Sequence, residues 1–316
     1  DDRLRLSSQA QRAERLGQRW VRPPDVPQLD LFLDGAAAGI EHDLLKALAR
    51  RDGESAAQVL VKLRKRQPDN PALTDYEHLV AYARRLIHHP AVPAAAVDLE
   101  LQELERIERV AQAVLRADAR DFLAPAWRRL AAGLANVAYD SQHSRRHASV
   151  ALARIPDWPA VIASLQREPA LLAQPVLLQR LADACTRQGM LQGALLIWCH
   201  LFGYFADQAE RLVLSAAGTV VPELWRQFQA FDEEPDSASF AGWILLHHPG
   251  LLHAAAQAGL PPLAQSPLFE AVGRLLQARQ RGDDEIAPRR ELQQHSPLLL
   301  RFYLRQREGS ANRPLS

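Results

Sequence analysis

Apolar side chains return every three or four residues through nearly the whole chain, the spacing that places them on one face of an α-helix. Over residues 1–27, Leu6, Ala10, Ala13, Leu16 and Trp20 form such a stripe. Arg12, Arg15 and Arg19 fill other faces, and Ser8 and Gln11 stand at capping-box spacing. Pro23, Pro24 and Pro27 then stop the helix and predict an extended connector.

A helical-hairpin region is predicted over 28–140. Leu29, Leu31, Phe32 and Leu33 read as a short helix closed by Gly35, followed by a second with Leu44, Leu45, Ala47 and Leu48. Asp52-Gly53 supplies a turn. Ala56, Val59, Leu60 and Leu63 make the next stripe, ended by Pro68-Asp69-Asn70-Pro71. Leu73, Tyr76, Leu79, Val80, Ala83 and Leu86 follow, ended by His88-His89-Pro90. A helix rarely continues into the residue before proline. Residues 94–117 carry the clearest long stripe: Val97, Leu101, Leu104, Ile107, Ala111, Val114 and Leu115. Glu100, Glu103, Glu105 and Glu108 come early and Arg106, Arg109 and Arg116 late, an order that suits the helix dipole and predicts acid-before-base pairs within the helix. Phe122, Trp127, Leu130, Leu134 and Val137 mark a further helix over 121–140.

A second hairpin region is predicted over 141–308. Residues 141–149 are polar and basic, a loop or a helix start. From 150 the punctuation is regular: Asp157-Trp158-Pro159, Pro175, Gly189, Pro222, Ser239, Gly250, Ser266, Pro288 and Pro297 stand at helix ends. Residues 309–316 read as a frayed tail. Thr219-Val220-Val221 is the one β-like trio, and it leads into a helix. The expected fold class is all-α.

Composition agrees. Aromatics are only 6% of a chain that is 47% hydrophobic, so Leu, Ala and Val dominate, and Leu and Ala lose little freedom in a helix. With 38 basic against 37 acidic residues the net charge is +1, which argues against a dedicated nucleic-acid binder. The only lysines are Lys46, Lys62 and Lys65, an Arg bias that fits a GC-rich bacterial genome. Cys185 and Cys199 are too few for a disulfide framework and are expected as buried free thiols. No apolar run approaches the ~20 residues that cross a bilayer. The expected compartment is the cytoplasm. Asp1 rather than Met opens the chain, which leaves room for a removed leader.

Two stretches resemble the tetratricopeptide repeat, whose units are antiparallel helix pairs with small residues where the helices press together. In 178–206, Leu178, Leu181 and Ala182 fit the first helix, Gly189 the turn, and Ala194, Trp198 and Leu201 the second. Cys185 stands where a larger ring is usual, and Ala206 replaces the closing proline. Ala56, Leu60, Leu63 and Pro68 with Asp69-Asn70-Pro71 resemble the end of another unit; its first helix, with Ile40 and Ala47, has Leu44 in the small position. The resemblance covers roughly a fifth of the chain. It implies a right-handed α-solenoid of stacked hairpins whose concave face binds a peptide or helix of a partner, with no catalytic residue and no cofactor.

Candidate chemistry is sparse. His143 and His147 share a face if 143–147 is helical, as zinc ligands can, but Arg145 and Arg146 lie between them and repel a metal. His88-His89 and His247-His248 suit helix C-termini. Arg128, Arg129, Arg145, Arg146, His147 and Arg154 form the densest basic stretch, a solvated face or a surface for an acidic partner. Asp232, Glu233, Glu234 and Asp236 form an acidic loop without calcium-loop spacing, and Asp283-Asp284 a turn. The nucleophile elbow, phosphate loop and dinucleotide fingerprint are all missing from the sequence. The basic N-terminal helix is expected to cap a solenoid, with a membrane surface or partner as the alternative. No metal or cofactor is expected. The leading expectation is a scaffold or adaptor that binds another protein through a groove around 150–260, its contacts including Arg128, Arg129, His143, Arg145, Arg146 and His147. An all-α enzyme with an acid or histidine pocket and a helical-repeat nucleic-acid binder stand as alternatives.

Overall fold

The structure is a computed structural model that describes residues 31–85, 91–216, 219–231, 236–257 and 266–311. The helix expected over 1–27, His88-His89, the acidic residues 232–234 and the last tail residues lie outside them. Every regular element among the described residues is helical. In chain order these are α1 (Leu31–Ala49), α2 (Gly53–Arg66), α3 (Leu73–Arg85), α4 (Val97–Leu115), α5 (Ala119–Leu134), α6 (Ala148–Arg154), α7 (Trp158–Gln166) and α8 (Pro175–Arg187). There follow α9 (Leu191–Tyr204), α10 (Ala206–Ser215), α11 (Val221–Gln229), α12 (Phe240–His247), α13 (Leu251–Gln257), α14 (Pro267–Arg281), α15 (Ile286–His295) and α16 (Pro297–Ala311).

Local chemistry starts and stops these helices where the punctuation stands. Asp52 caps α2 by accepting the Ser55 N–H at 3.0 Å, Asp157 caps α7 through Ala160 N–H at 3.2 Å, and Ser266 caps α14 through Phe269 N–H at 3.3 Å. Each satisfies one of the orphan donors of a first turn. Gly189 turns the chain between α8 and α9 at φ +81, a backbone that side chains rarely adopt. Several boundaries differ from expectation, among them the end of α5, at Leu134 and not at 140. Gly35 does not close a helix: α1 runs through it, because Ala36-Ala37-Ala38 follow and no proline or αL cap stops the turn. Residues 148–154 form a helix of their own, α6, and the last helix continues to Ala311.

Two cores form. Leu44, Leu63, Leu79, Leu104, Ile107, Phe122, Trp127 and Leu130 belong to the first, which ends with Ala148 and Ala151 of α6. Leu165, Leu177, Leu181, Trp198, Phe202, Phe240 and Tyr303 belong to the second, which begins at Val161 of α7. Leu152 packs against both. α4 buries one stripe, whereas α9 is buried without a break from Gly193 to Phe202 and α12 from Phe240 to Leu246. A helix that is apolar on all sides belongs at a centre. Accordingly α9 packs against α8, α10, α12, α13 and α14. Phe202, Trp225, Phe228 and Phe240 gather there with ring centres 4.7–5.5 Å apart. From α1 to α9 each helix packs against the next, and α1 also meets α5.

Candidate partner-binding cleft

The six basic residues singled out in the sequence do not gather into one surface. Arg129 lies deep between α4 and α5 and donates to Glu100, which also accepts from Arg85 at 3.2 Å. Arg128 is exposed on α5, and its charge, after burial, holds the Arg51 guanidinium down to about 10. Residues 141–146 form a 3-10 turn broken at His143, and His147 is extended. The two histidines therefore do not share a helical face. His143 Nδ1 meets Asp140 at 2.7 Å. His147 is buried, its Nδ1 accepting from the Ser149 hydroxyl at 2.8 Å while Nε2 stands 3.9 Å from Glu168. Burial, followed by the charge of Arg180, lowers its pKa. Among the described residues no three His, Cys, Asp or Glu side chains come together as a metal site.

Arg145 and Arg146 are committed to α4. Arg146 pairs with Asp98, Arg145 with Glu105, and Arg154 with Glu108 at 3.2 Å. Asp98, Glu105 and Glu108 follow steps of seven and three, so they line one face of α4. The acid-before-base pairs expected within this helix are thus replaced in part: only Glu103–Arg106 pairs inside it among the described residues. Guanidiniums arriving from a packed neighbour take the others. These pairs tie the 3-10 turn and α6 to α4, with the three arginine side chains still 40–62% exposed.

A different cleft, of about 620 Å³, opens where the two cores meet. The end of α4 contributes Glu108, the corner after it Arg116, and α5 contributes Arg120, Leu123 and Trp127. Arg154 of α6, Trp158 at the start of α7 and Arg187 at the end of α8 complete it. Arg116 sits at φ 51, a region that favours glycine, so the corner is held against local preference. Arg154 lies over the Trp127 ring at 5.7 Å and Arg187 over Trp158 at 5.2 Å. Four arginines face one glutamate, a local excess of three positive charges in a chain whose net charge is +1. Arg116 and Arg120 have no ion pair among the described residues.

A second cleft, of about 630 Å³, lies beside the Glu100 cluster. Its charge is spent internally: Arg84 pairs with Glu54, and Arg85 and Arg129 pair with Glu100. A third, of about 540 Å³, lies by Leu252, Leu276 and Arg279. The first sets several guanidiniums without an ion pair beside apolar surface, where the third holds only Arg279, and this makes the first the strongest site for a ligand.

Arg116, Arg120, Trp158 and Arg187 are absent from the residues the sequence suggested for binding. Arg116 and Arg120 are four apart, but they straddle the corner between α4 and α5. Arg187 stands far along the chain, and no local spacing ties it to them. The residues picked out as repeat packing occupy the α8–α9 hairpin: Leu178, Leu181, Ala182, Ala194, Trp198 and Leu201 are buried, and Gly189 is the exposed turn. No protein-family model, no curated protein and no solved structure matches this chain.

Proposed function

We propose that the chain is a non-catalytic adaptor that holds a segment of another protein in the cleft between its two cores. The observation that carries this is the pairing of unneutralised Arg116 and Arg120 with an aromatic and aliphatic wall, in a cleft whose volume falls within the ~300–1,000 Å³ of ordinary binding sites. Arginine and tryptophan set together in a pocket are among the residues that protein interfaces concentrate at their anchor points. The groove foreseen around 150–260 contributes only one wall, through Arg154, Trp158 and Arg187.

The same proposal covers the architecture. Packing in chain order from α1 to α9, and the small and bulky pattern of the α8–α9 hairpin, support hairpins stacked in the manner of tetratricopeptide repeats. The contacts of α1 with α5, and of α9 with α12, α13 and α14, close the structure at both ends, so the stacked array would be confined to the middle helices. A partner search with the purified chain as bait tests the function. A protein that binds reproducibly and cross-links near Trp158 is the expected result. Recovery of no protein beyond those held by an unrelated helical bait would overturn it.

A further inference from the structure

We infer that the occupant of the cleft at the junction of the two cores is an acidic polypeptide segment, its carboxylates bound by Arg116, Arg120 and Arg187 and its aliphatic side chains set between them. This rests on the adaptor proposal and names the partner's chemistry. Glu108 is the one acid in the cleft, and it is already engaged by Arg154 at 3.2 Å, with only 16% of its side chain exposed. The remaining guanidiniums therefore have no carboxylate inside the cleft. A planar guanidinium presents two parallel donors to a carboxylate, and stacking on a ring holds that fork in one plane. Arg187 lies over the Trp158 ring, its guanidinium carbon 5.2 Å from the ring centre. Ala117, Ala153 and Pro156 line the cleft beside the charges, a surface for the aliphatic groups of an Asp- or Glu-rich segment and a poor one for a bare anion.

Nucleic acid fits less well. Single strands bind by stacking bases on open aromatic faces. Here Arg154 covers Trp127, which is itself 1% exposed, and Arg187 covers Trp158. The positive charge also belongs to one cleft in a chain of net charge +1, where a backbone-tracking binder needs a continuous excess.

Fluorescence anisotropy with the purified full chain tests the assignment. The probes are a fluorescein-labelled peptide of Glu and Leu, its Gln and Leu counterpart, single-stranded poly(U) RNA and inorganic tripolyphosphate. The Glu peptide is expected to bind, to weaken as salt rises, and to outbind the Gln peptide about tenfold or more, the scale of a charge-assisted hydrogen bond. The double substitution Arg116→Glu, Arg120→Glu is expected to weaken it by at least about tenfold while the thermal unfolding followed by circular dichroism stays in place. Arg128→Glu, on α5 but outside the cleft, is expected to bind as the unsubstituted chain does. If the charge reversal fails to fold, Arg116→Gln with Arg120→Gln reads the same effect. Equal binding of the Glu peptide by the double variant, no binding at all, or tighter binding of poly(U) or tripolyphosphate overturns the assignment. A partner protein recovered equally by both forms would leave the adaptor proposal standing and sink the cleft assignment. Arginine-dependent peptide binding without any recoverable protein partner would support the cleft assignment and count against the adaptor.

Discussion

Arg129 of α5 and Glu100 of α4 form an ion pair with only 11% and 10% of their side chains exposed. Such a pair is costly to assemble, because both charges leave water, and costlier to break, because one charge is then stranded. The Arg129 Nε is buried without a hydrogen-bond partner, so the arginine depends on this contact.

Glu100→Gln or Arg129→Met is therefore expected to lower stability by about 3 kcal/mol, read from urea unfolding. The double substitution Glu100→Gln, Arg129→Met removes both charges and is expected to lose less than the two single changes together. A fully additive loss would show that the two residues do not depend on each other.

Trp198 is completely buried in α9, and its indole N–H has no acceptor among the described residues. Trp198→Ala opens a cavity at the second core and is expected to cost about 3–5 kcal/mol. Trp198→Phe keeps most of the ring and removes an unsatisfied donor, so the expected loss is about 1.5 kcal/mol or less. Comparable losses from both would place a hydrogen bond on the indole.

At Gly133 an added Cβ would stand 2.4 Å from the Val92 carbonyl oxygen. α5 and the segment ahead of α4 approach backbone to backbone there, and backbone cannot swing aside as a side chain does. Gly133→Ala is expected to destabilise by about 1–3 kcal/mol despite its gain in helix propensity. A stabilised variant in thermal unfolding would contradict this packing.

His147 is harder to protonate in the folded chain than in the unfolded one, since burial and Arg180 both oppose its positive charge while Glu168 favours it. Its folded pKa lies below 6.5, so as pH falls through 6.5 the unfolded chain takes up the proton first and stability declines; the decline ends below the folded value. Between pH 7 and pH 5 the melting temperature is expected to fall. His147→Asn puts a side-chain oxygen in place of the Nδ1 that caps α6 and is expected to flatten that slope. An unchanged slope would assign the pH dependence elsewhere, first to His247, whose pKa burial lowers in the same direction.

Every step of this kind turns on which residues meet, and the chain itself discloses that unevenly. The stripe Val97, Leu101, Leu104, Ile107 and Ala111 and the caps Asp52, Asp157 and Ser266 are legible because the rules behind them act within one or two turns of helix. A helix boundary failed where the local signal was weak, as when Gly35 was outweighed by the alanines after it. By contrast the partners of Asp98, Glu105 and Glu108 come from 40 or more residues away. Nothing about an arginine at 145 says that it will be consumed by an acid at 105.

The sequence by itself determined the helices, their corners and the absence of strands among the described residues, because backbone hydrogen bonds and apolar period are settled between near neighbours. Tertiary structure alone decided which arginines are spent and which remain. Desolvation drives the nearly buried Arg129 onto Glu100, packing brings the more exposed Arg145 and Arg146 against the acids of α4, and it leaves Arg116 and Arg120 facing an open cleft.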